Sequence, residues 1–264
     1  MLDKDISASY ILPDWPAPQG IKAYSTTRIG GCSKKPFDSF NLAKHVDDNN
    51  NEVLFNREKL KTDLHLPNSP IWLEQIHSCN LVDLDSLEQI SIQKPRILTA
   101  DGSFTSNPNR ICTVMTADCL PILLCNKKGT WVASIHAGWR GLADGIVQKA
   151  INAYAGTSQE LIAWMGPAIG QDQFEVGFDV KQKFEISVKE VESFFIEKND
   201  NKFLCDLYGI CRNILQQYKI QTYGGQWCTY SQESQFFSYR RDGATGRMAS
   251  LIWIDNKPTN TNKK

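Results

Sequence analysis

The chain has no CxxC cysteine pair, no apolar run near the ~18 residues a membrane-spanning helix needs, and no net charge. The first absence excludes zinc ribbons and thioredoxin-type redox motifs. The second argues against a membrane partner. The third, 29 Lys and Arg against 29 Asp and Glu, gives no reason to expect nucleic acid or an anionic surface. The N-terminus, MLDKDISASYILPDW, lacks the charged head and apolar block of a secretion signal, which points to the cytoplasm. The eight cysteines are then expected to be thiols. Histidine is scarce, with only four in 264 residues. No internal repeat or low-complexity block is present.

What remains is an ordinary globular composition, 41% apolar and 22% charged, in a chain long enough to bury a substantial core. Apolar pieces bounded by turn residues predict strands at 21–26, 71–76, 80–84, 111–116, 121–125, 131–136, 161–165, 220–229, 235–239 and 248–254. Helical periodicity predicts helices at 51–64, 142–154, 178–187 and 206–218. Strands and helices are mixed without strict alternation, so the fold class is α+β, mixed sheets layered with helices. Residues 1–255 are expected to form a single domain and the polar residues 256–264 a disordered tail.

Three of the strand candidates stop on a good metal ligand. Ile71 to Ile76 runs into His77, Cys112 to Asp118 into Cys119, and Trp131 to Ile135 into His136. If those ends converge, two imidazoles and a thiolate meet, a set suited to tetrahedral zinc with one open position. His77, Cys119 and His136 are therefore the candidates for both metal binding and catalysis. The spacing is too wide for a short ligand motif. His136 opens His136-Ala137-Gly138-Trp139-Arg140-Gly141, where glycines permit close backbone approach and Arg140 offers a planar donor for phosphate or carboxylate. Asp101 and Asp118 can orient a ligand imidazole, but Asp101, in Thr99-Ala100-Asp101-Gly102, reads better as a turn aspartate bonded to local backbone. His45 and His65 are expected to be surface or core residues.

At this point the motifs coincide with a known family. The chain resembles the YfiH-like, or laccase-domain, proteins, also labelled multicopper polyphenol oxidoreductases and linked to purine nucleoside phosphorylase activity. The matching pieces include Thr27 to Ser33, Ser39-Phe40-Asn41-Leu42, Asn56-Arg57, Gln75-Ile76-His77 and Thr116 to Pro121. They continue through His136 to Gly141, Gly166 to Gly170, Glu175-Val176-Gly177, Phe237 to Gly243 and Gly246-Arg247-Met248. The resemblance implies zinc on His77, Cys119 and His136, and a layered α/β/β/α-type fold shared with a toxin deamidase that uses a Cys–His pair. It also implies phosphorolysis of adenosine, inosine and methylthioadenosine, with adenosine deamination beside it. Two positions depart from the family pattern: Ser78 where glycine is usual, and Phe174 where tyrosine is usual.

Phosphorolysis needs an anion held under the ribose and a base that leaves with help. Arg57 is the first candidate for phosphate, followed by Arg140 and Arg240, and Asn41 is a candidate for sugar or base. Two other chemistries compete. Cys119 and His136 would also serve a Cys–His hydrolase acting on a peptide or cell-wall precursor. Copper at the same three ligands would give weak polyphenol oxidase activity. A full multicopper site is excluded by count, since it takes roughly ten imidazoles. The expected partners are purine nucleosides and phosphate, and the oligomeric state is left open.

Overall fold

The computed structural model describes residues 8–87, 98–108 and 110–255. The tail at 256–264 lies outside the described residues. Two sheets carry the architecture. In the four-stranded antiparallel sheet, Tyr10–Ile11, Ile21–Thr26, Met248–Ile254 and Ile111–Thr116 lie side by side in that order. In the six-stranded sheet the order is Gln221–Gly224, Leu161–Met165, Leu120–Asn126, Val132–Ala137, Gly102–Thr105 and Leu81–Asp83. Its inner pairs are antiparallel and its two edge pairs parallel.

Strand periodicity explains the layering. In Leu120–Asn126 every residue is buried, because both faces of the sheet are covered. Leu123 and Cys125 face Cys112, Ile252 and Ile254 of the four-stranded sheet. Leu120, Ile122 and Leu124 face Ile146, Val147 and Ala150 of one helix and Ile210 and Ile214 of another. On the far side, Ile111, Leu251 and Trp253 of the four-stranded sheet pack on Leu60 of the helix Asn50–Asp63 and on Leu64 beside it. Helix, sheet, sheet and helix therefore stack in the expected α+β order. A three-stranded sheet (Glu175–Gly177, Lys202–Cys205, Phe195–Glu197) and a parallel pair (Leu73–Glu74 with Leu98–Thr99) complete the strands.

Several elements differ from the sequence expectation, each for a local reason. The helix expected over 142–154 begins at Trp139 and is broken into Trp139–Ala143 and Ile146–Ala153 by Gly145, whose φ is 88°. The strand expected over 220–229 ends at Gly224, where Gly224 and Gly225 both take positive φ. No strand forms over 235–239. Phe236 and Phe237 are buried as single anchors of a loop, and Ser238 caps a short helix, Tyr239–Asp242. The piece at 71–76 pairs regularly only at Leu73–Glu74, with Ile71 bridging to Cys112. All eight cysteines are free thiols, as expected.

Candidate metal centre and its cavity

The sheets bring the three strand ends together. Cys119 sits in the connection that passes from Ile111–Thr116 in one sheet to Leu120–Asn126 in the other. His136 lies near the end of Val132–Ala137, opposite Pro121 across the ladder. His77 follows the short strand Leu73–Glu74. The candidate ligand atoms of His77, Cys119 and His136 all lie within 4.8 Å of one another. Cys119 Sγ is 3.7 Å from His77 Nε2, and the two imidazole centroids are 4.8 Å apart at 74°. Tetrahedral zinc, with bonds of about 2.3 Å to sulfur and about 2.1 Å to nitrogen, sets such donors roughly 3.5 Å apart. The donor set therefore fits a borderline-soft divalent cation with only small adjustment.

Tight turns create that convergence. His77 and Asp118 are both non-glycine residues with positive φ, 61° and 93°. Such conformations persist only where surrounding bonds hold them. At Asp118 the carboxylate accepts from Thr229 Oγ1 at 2.6 Å and from the Arg240 amide at 2.7 Å. At His77 the amide donates to Asp101 Oδ1 at 2.9 Å. Gly138 completes the approach: a Cβ there would sit 3.0 Å from Cys119 Sγ and from His77 Cδ2. The glycine thus makes room for the Cys119 and His77 side chains. The helix that follows it, Trp139–Ala143, has only five residues, so it adds little dipole beside the Arg140 donor.

Asp101 corrects the expectation of a simple turn aspartate. It is fully buried, and His136 Nδ1 donates to its Oδ1 at 2.8 Å. Its Oδ2 accepts from the Ser78 amide at 2.6 Å, the Ser78 hydroxyl at 2.7 Å and the Ile76 amide at 3.3 Å. One carboxylate therefore orients the His136 ring, leaving Nε2 for a metal, and pins the backbone that carries His77. Burial works to raise the Asp101 pKa, but the bonds from His136 and Ser78 outweigh it, and the carboxyl is held below its ordinary range. Burial likewise works against the Cys119 thiolate, yet the His136 and His77 imidazoles bring the thiol down to about 6. Burial works against a charged His136, and the Cys119 thiolate and Asp101 raise it to about 9. Both shifts run in the direction that favours a thiolate–imidazolium pair when no metal is bound.

His77, Cys119 and His136 line a cavity of about 530 Å³, a size suited to a small organic ligand. Ile169 and Phe174 form an apolar wall, while Arg140, Arg240 and Arg247 contribute cations. A larger open groove of about 910 Å³ lies beside Arg28, Asp38 and Glu233 and holds none of the three candidate ligands. Residues 22–255 match the description "multi-copper polyphenol oxidoreductase laccase". The chain belongs to that family.

Relatives of this laccase-family chain span nearly its whole length. It is 44% identical to purine nucleoside phosphorylase YfiH of Escherichia coli over 245 residues, 92% of this chain and 98% of that one. It is 42% identical to a purine nucleoside phosphorylase of Pseudomonas aeruginosa over 250 residues, 94% and 99% of the two chains. A solved structure of a Neisseria meningitidis protein superposes with a TM-score of 0.88 at 44% identity, covering 94% and 100%. YlmD of Geobacillus stearothermophilus gives 0.87 at 28% identity, covering 94% and 97%.

In this laccase-family fold the other predicted site residues divide. Arg140 and Arg240 line the cavity. The Arg140 guanidinium lies 4.3 Å over the Trp139 ring, and Arg240 Nη1 donates to the Glu175 carbonyl at 2.9 Å. Asn41 and Arg57 are not among the lining residues. Asn41 is fully buried, and Arg57 stacks 3.9 Å over the Trp72 ring while its Nε donates to the Leu42 carbonyl at 2.8 Å. The cavity instead adds His45, Gln75, Tyr239 and Arg247, which sequence reasoning passed over. For Arg247 a signal existed. Met248 opens a predicted strand that pairs with Thr116, so Arg247 falls one step beyond, above the turn that leads to Cys119. His45 carries no pattern that marks it.

Proposed function

We propose that the protein is a zinc-dependent purine nucleoside phosphorylase that converts adenosine, inosine or methylthioadenosine and phosphate to free base and ribose 1-phosphate. The observation that carries this is the convergence of His77, Cys119 and His136 in the floor of a cavity that also holds three arginines. The names of the Escherichia coli and Pseudomonas aeruginosa relatives support it. The mixed nitrogen and sulfur donors favour zinc, and copper would be taken by the same three residues. When bound, zinc would supply a Lewis acid at the open coordination position and a water of lowered pKa.

The remaining work belongs to the chain. Asp101 keeps the proton of His136 on Nδ1, so the ring presents a lone pair toward the centre. Phe174 and Ile169 offer flat apolar surface for a purine and keep water from it. Arg140 and Arg240 add positive charge to the cavity wall, which draws an anion toward it. The same cavity suits adenosine deamination, in which water attacks C6 of the purine rather than the sugar carbon and the amino group leaves as ammonia.

Purified, zinc-loaded protein incubated with inosine and phosphate is expected to release hypoxanthine in a phosphate-dependent manner. No hypoxanthine at full zinc occupancy would refute the phosphorylase assignment. The lowered Cys119 thiol beside His136 favours one second reading, a Cys–His hydrolase. That enzyme would be active without metal and inactivated by alkylation.

A further inference from the structure

The cavity has an excess of positive charge in a protein with none overall. Its lining carries Arg140, Arg240 and Arg247 against a single carboxylate, Asp118, which is already bonded to Thr229 and the Arg240 amide. Among the described residues, none of the three arginines forms an ion pair with a carboxylate. Two of them are exposed and committed to other contacts, Arg140 on Trp139 and Arg240 on the Glu175 carbonyl. Arg247 also lies over a ring, 5.7 Å from the Tyr239 centroid, but it differs in burial. It is partly buried, and burial works against its charge. Its Nη1 donates to the Thr245 and Gly246 carbonyls at 2.7 and 3.0 Å, which fixes the plane of the guanidinium. Among the described residues its Nε and Nη2 make no hydrogen bond, so one edge of a rigid donor fork is free.

The neighbourhood is built to hold that fork. Asn41 Oδ1 accepts from the Arg247 amide at 2.9 Å, and the Leu42 amide donates to the Arg247 carbonyl at 3.3 Å. Asn41 is itself braced by Asp48 and Ala43, and Arg57 grips the Leu42 carbonyl from behind. The same loop delivers His45 to the cavity. His45 registers the local field: burial and the Arg247 and Arg57 guanidiniums hold its imidazole below the ordinary histidine range. A fixed, partly desolvated guanidinium with a free edge, within the field of Asp118 and Cys119 but ion-paired to neither, is a site for an oxyanion.

We propose that Arg247, with His45 beside it, is the phosphate subsite of this cavity. The inference rests on the phosphorylase reading for the role of phosphate as co-substrate, and on the geometry alone for phosphate binding. Arg57, the arginine that sequence position favoured, supports the loop from behind.

The test uses zinc-loaded full-length wild type, Arg247→Met, Arg247→Lys and His45→Gln, each checked for an unchanged thermal midpoint. Two readouts are taken: KM for phosphate and for inosine separately, and binding of inorganic phosphate alone by calorimetry. Losing a charge-assisted bidentate contact predicts a phosphate KM raised about 10- to 100-fold in Arg247→Met, with inosine KM within about threefold. Arg247→Lys should recover part of the loss, since it restores charge but not the fork. His45→Gln should raise phosphate KM by about three- to tenfold. If Arg247→Met fails to fold, the Lys and Gln variants carry the test. An unchanged phosphate KM, or a parallel rise for inosine, overturns the assignment. If the wild type shows no phosphorolysis, the phosphorylase reading fails separately. The subsite then stands if phosphate binds the wild type and not Arg247→Met, and falls if both bind equally or neither binds.

Discussion

Replacing Asp101 with asparagine should loosen the metal without removing any ligand. The carboxylate accepts five hydrogen bonds, from His136 Nδ1, the His77 amide, the Ile76 amide and both donors of Ser78. An asparagine side chain offers one acceptor oxygen and one NH2. Facing His136 with its oxygen, it turns the NH2 against the Ser78 and Ile76 amides. Flipped, it turns the NH2 against His136 and His77. Either way at least two buried donors lose their acceptor, at about 1–3 kcal/mol each. Metal-free Asp101→Asn should therefore lose about 2–6 kcal/mol of stability in urea melts. Zinc affinity, measured by competition with a fluorescent chelator, should fall about 10- to 100-fold, the usual cost of losing the partner of a ligand histidine. Cobalt-substituted variant should show altered d–d bands, because the His136 ring is no longer held. An affinity within about threefold of wild type, in a folded variant, would refute the orienting role. The carboxyl is held below the ordinary carboxylate range, so its stabilisation is present above that range and disappears as pH falls through the depressed value.

His77→Ala, Cys119→Ala and His136→Ala should each lose zinc and phosphorolysis together, by metal analysis and hypoxanthine assay; a variant that keeps its zinc removes that residue from the centre. In chelator-treated protein, iodoacetamide labelling of Cys119 should titrate near 6, well below an unperturbed thiol at about 8.5. Cys32, exposed and with its thiol raised by burial and Glu52, is the internal reference, and equal midpoints by peptide mass spectrometry would refute the thiolate assignment. The Cys119 thiol is lowered to about 6 and the His136 imidazole raised to about 9, so both charges coexist chiefly between those values. The thiolate contribution to metal-free stability is lost as pH falls through the lower value, and the imidazolium contribution as pH rises through the upper. Gly138→Ala should weaken zinc binding at a cost of about 1–3 kcal/mol, because the added methyl meets Cys119 Sγ and His77 at 3.0 Å. Undiminished affinity in that variant would mean the ligands have slack.

The parts legible in the sequence were those with strong periodicity. Strands at 111–116, 161–165 and 248–254 and the helices at 178–187 and 206–218 appear within a residue or so of expectation, since burial on both faces or one face dictates their pattern. The three candidate ligands stand out in the sequence because each ends an apolar run, and the structure brings their donor atoms within 4.8 Å of one another. Elements stabilised by partners far along the chain were not. The strands Glu175–Gly177 and Lys202–Cys205 are short and carry no clean alternation, so their pairing is a tertiary choice. Asp101 looked like turn chemistry because its partner His136 is 35 positions away. Arg57 and Asn41 looked like substrate residues because polar side chains in a motif invite that role, and only packing shows that both bond to the chain itself. The two Phe residues at 236–237 read as strand but serve as plugs under a loop that has no ladder.

The placement of Cys119 on the stitch between the two sheets has a mechanical consequence. His136 is anchored in one sheet, and the thiolate hangs on the cord joining it to the other. A cation gripped by both would act as a rivet through the sandwich, resisting any sliding of one layer over its neighbour. Metal loading would then be felt far from the cavity, as slower hydrogen exchange in the inter-sheet strands 111–116 and 120–126.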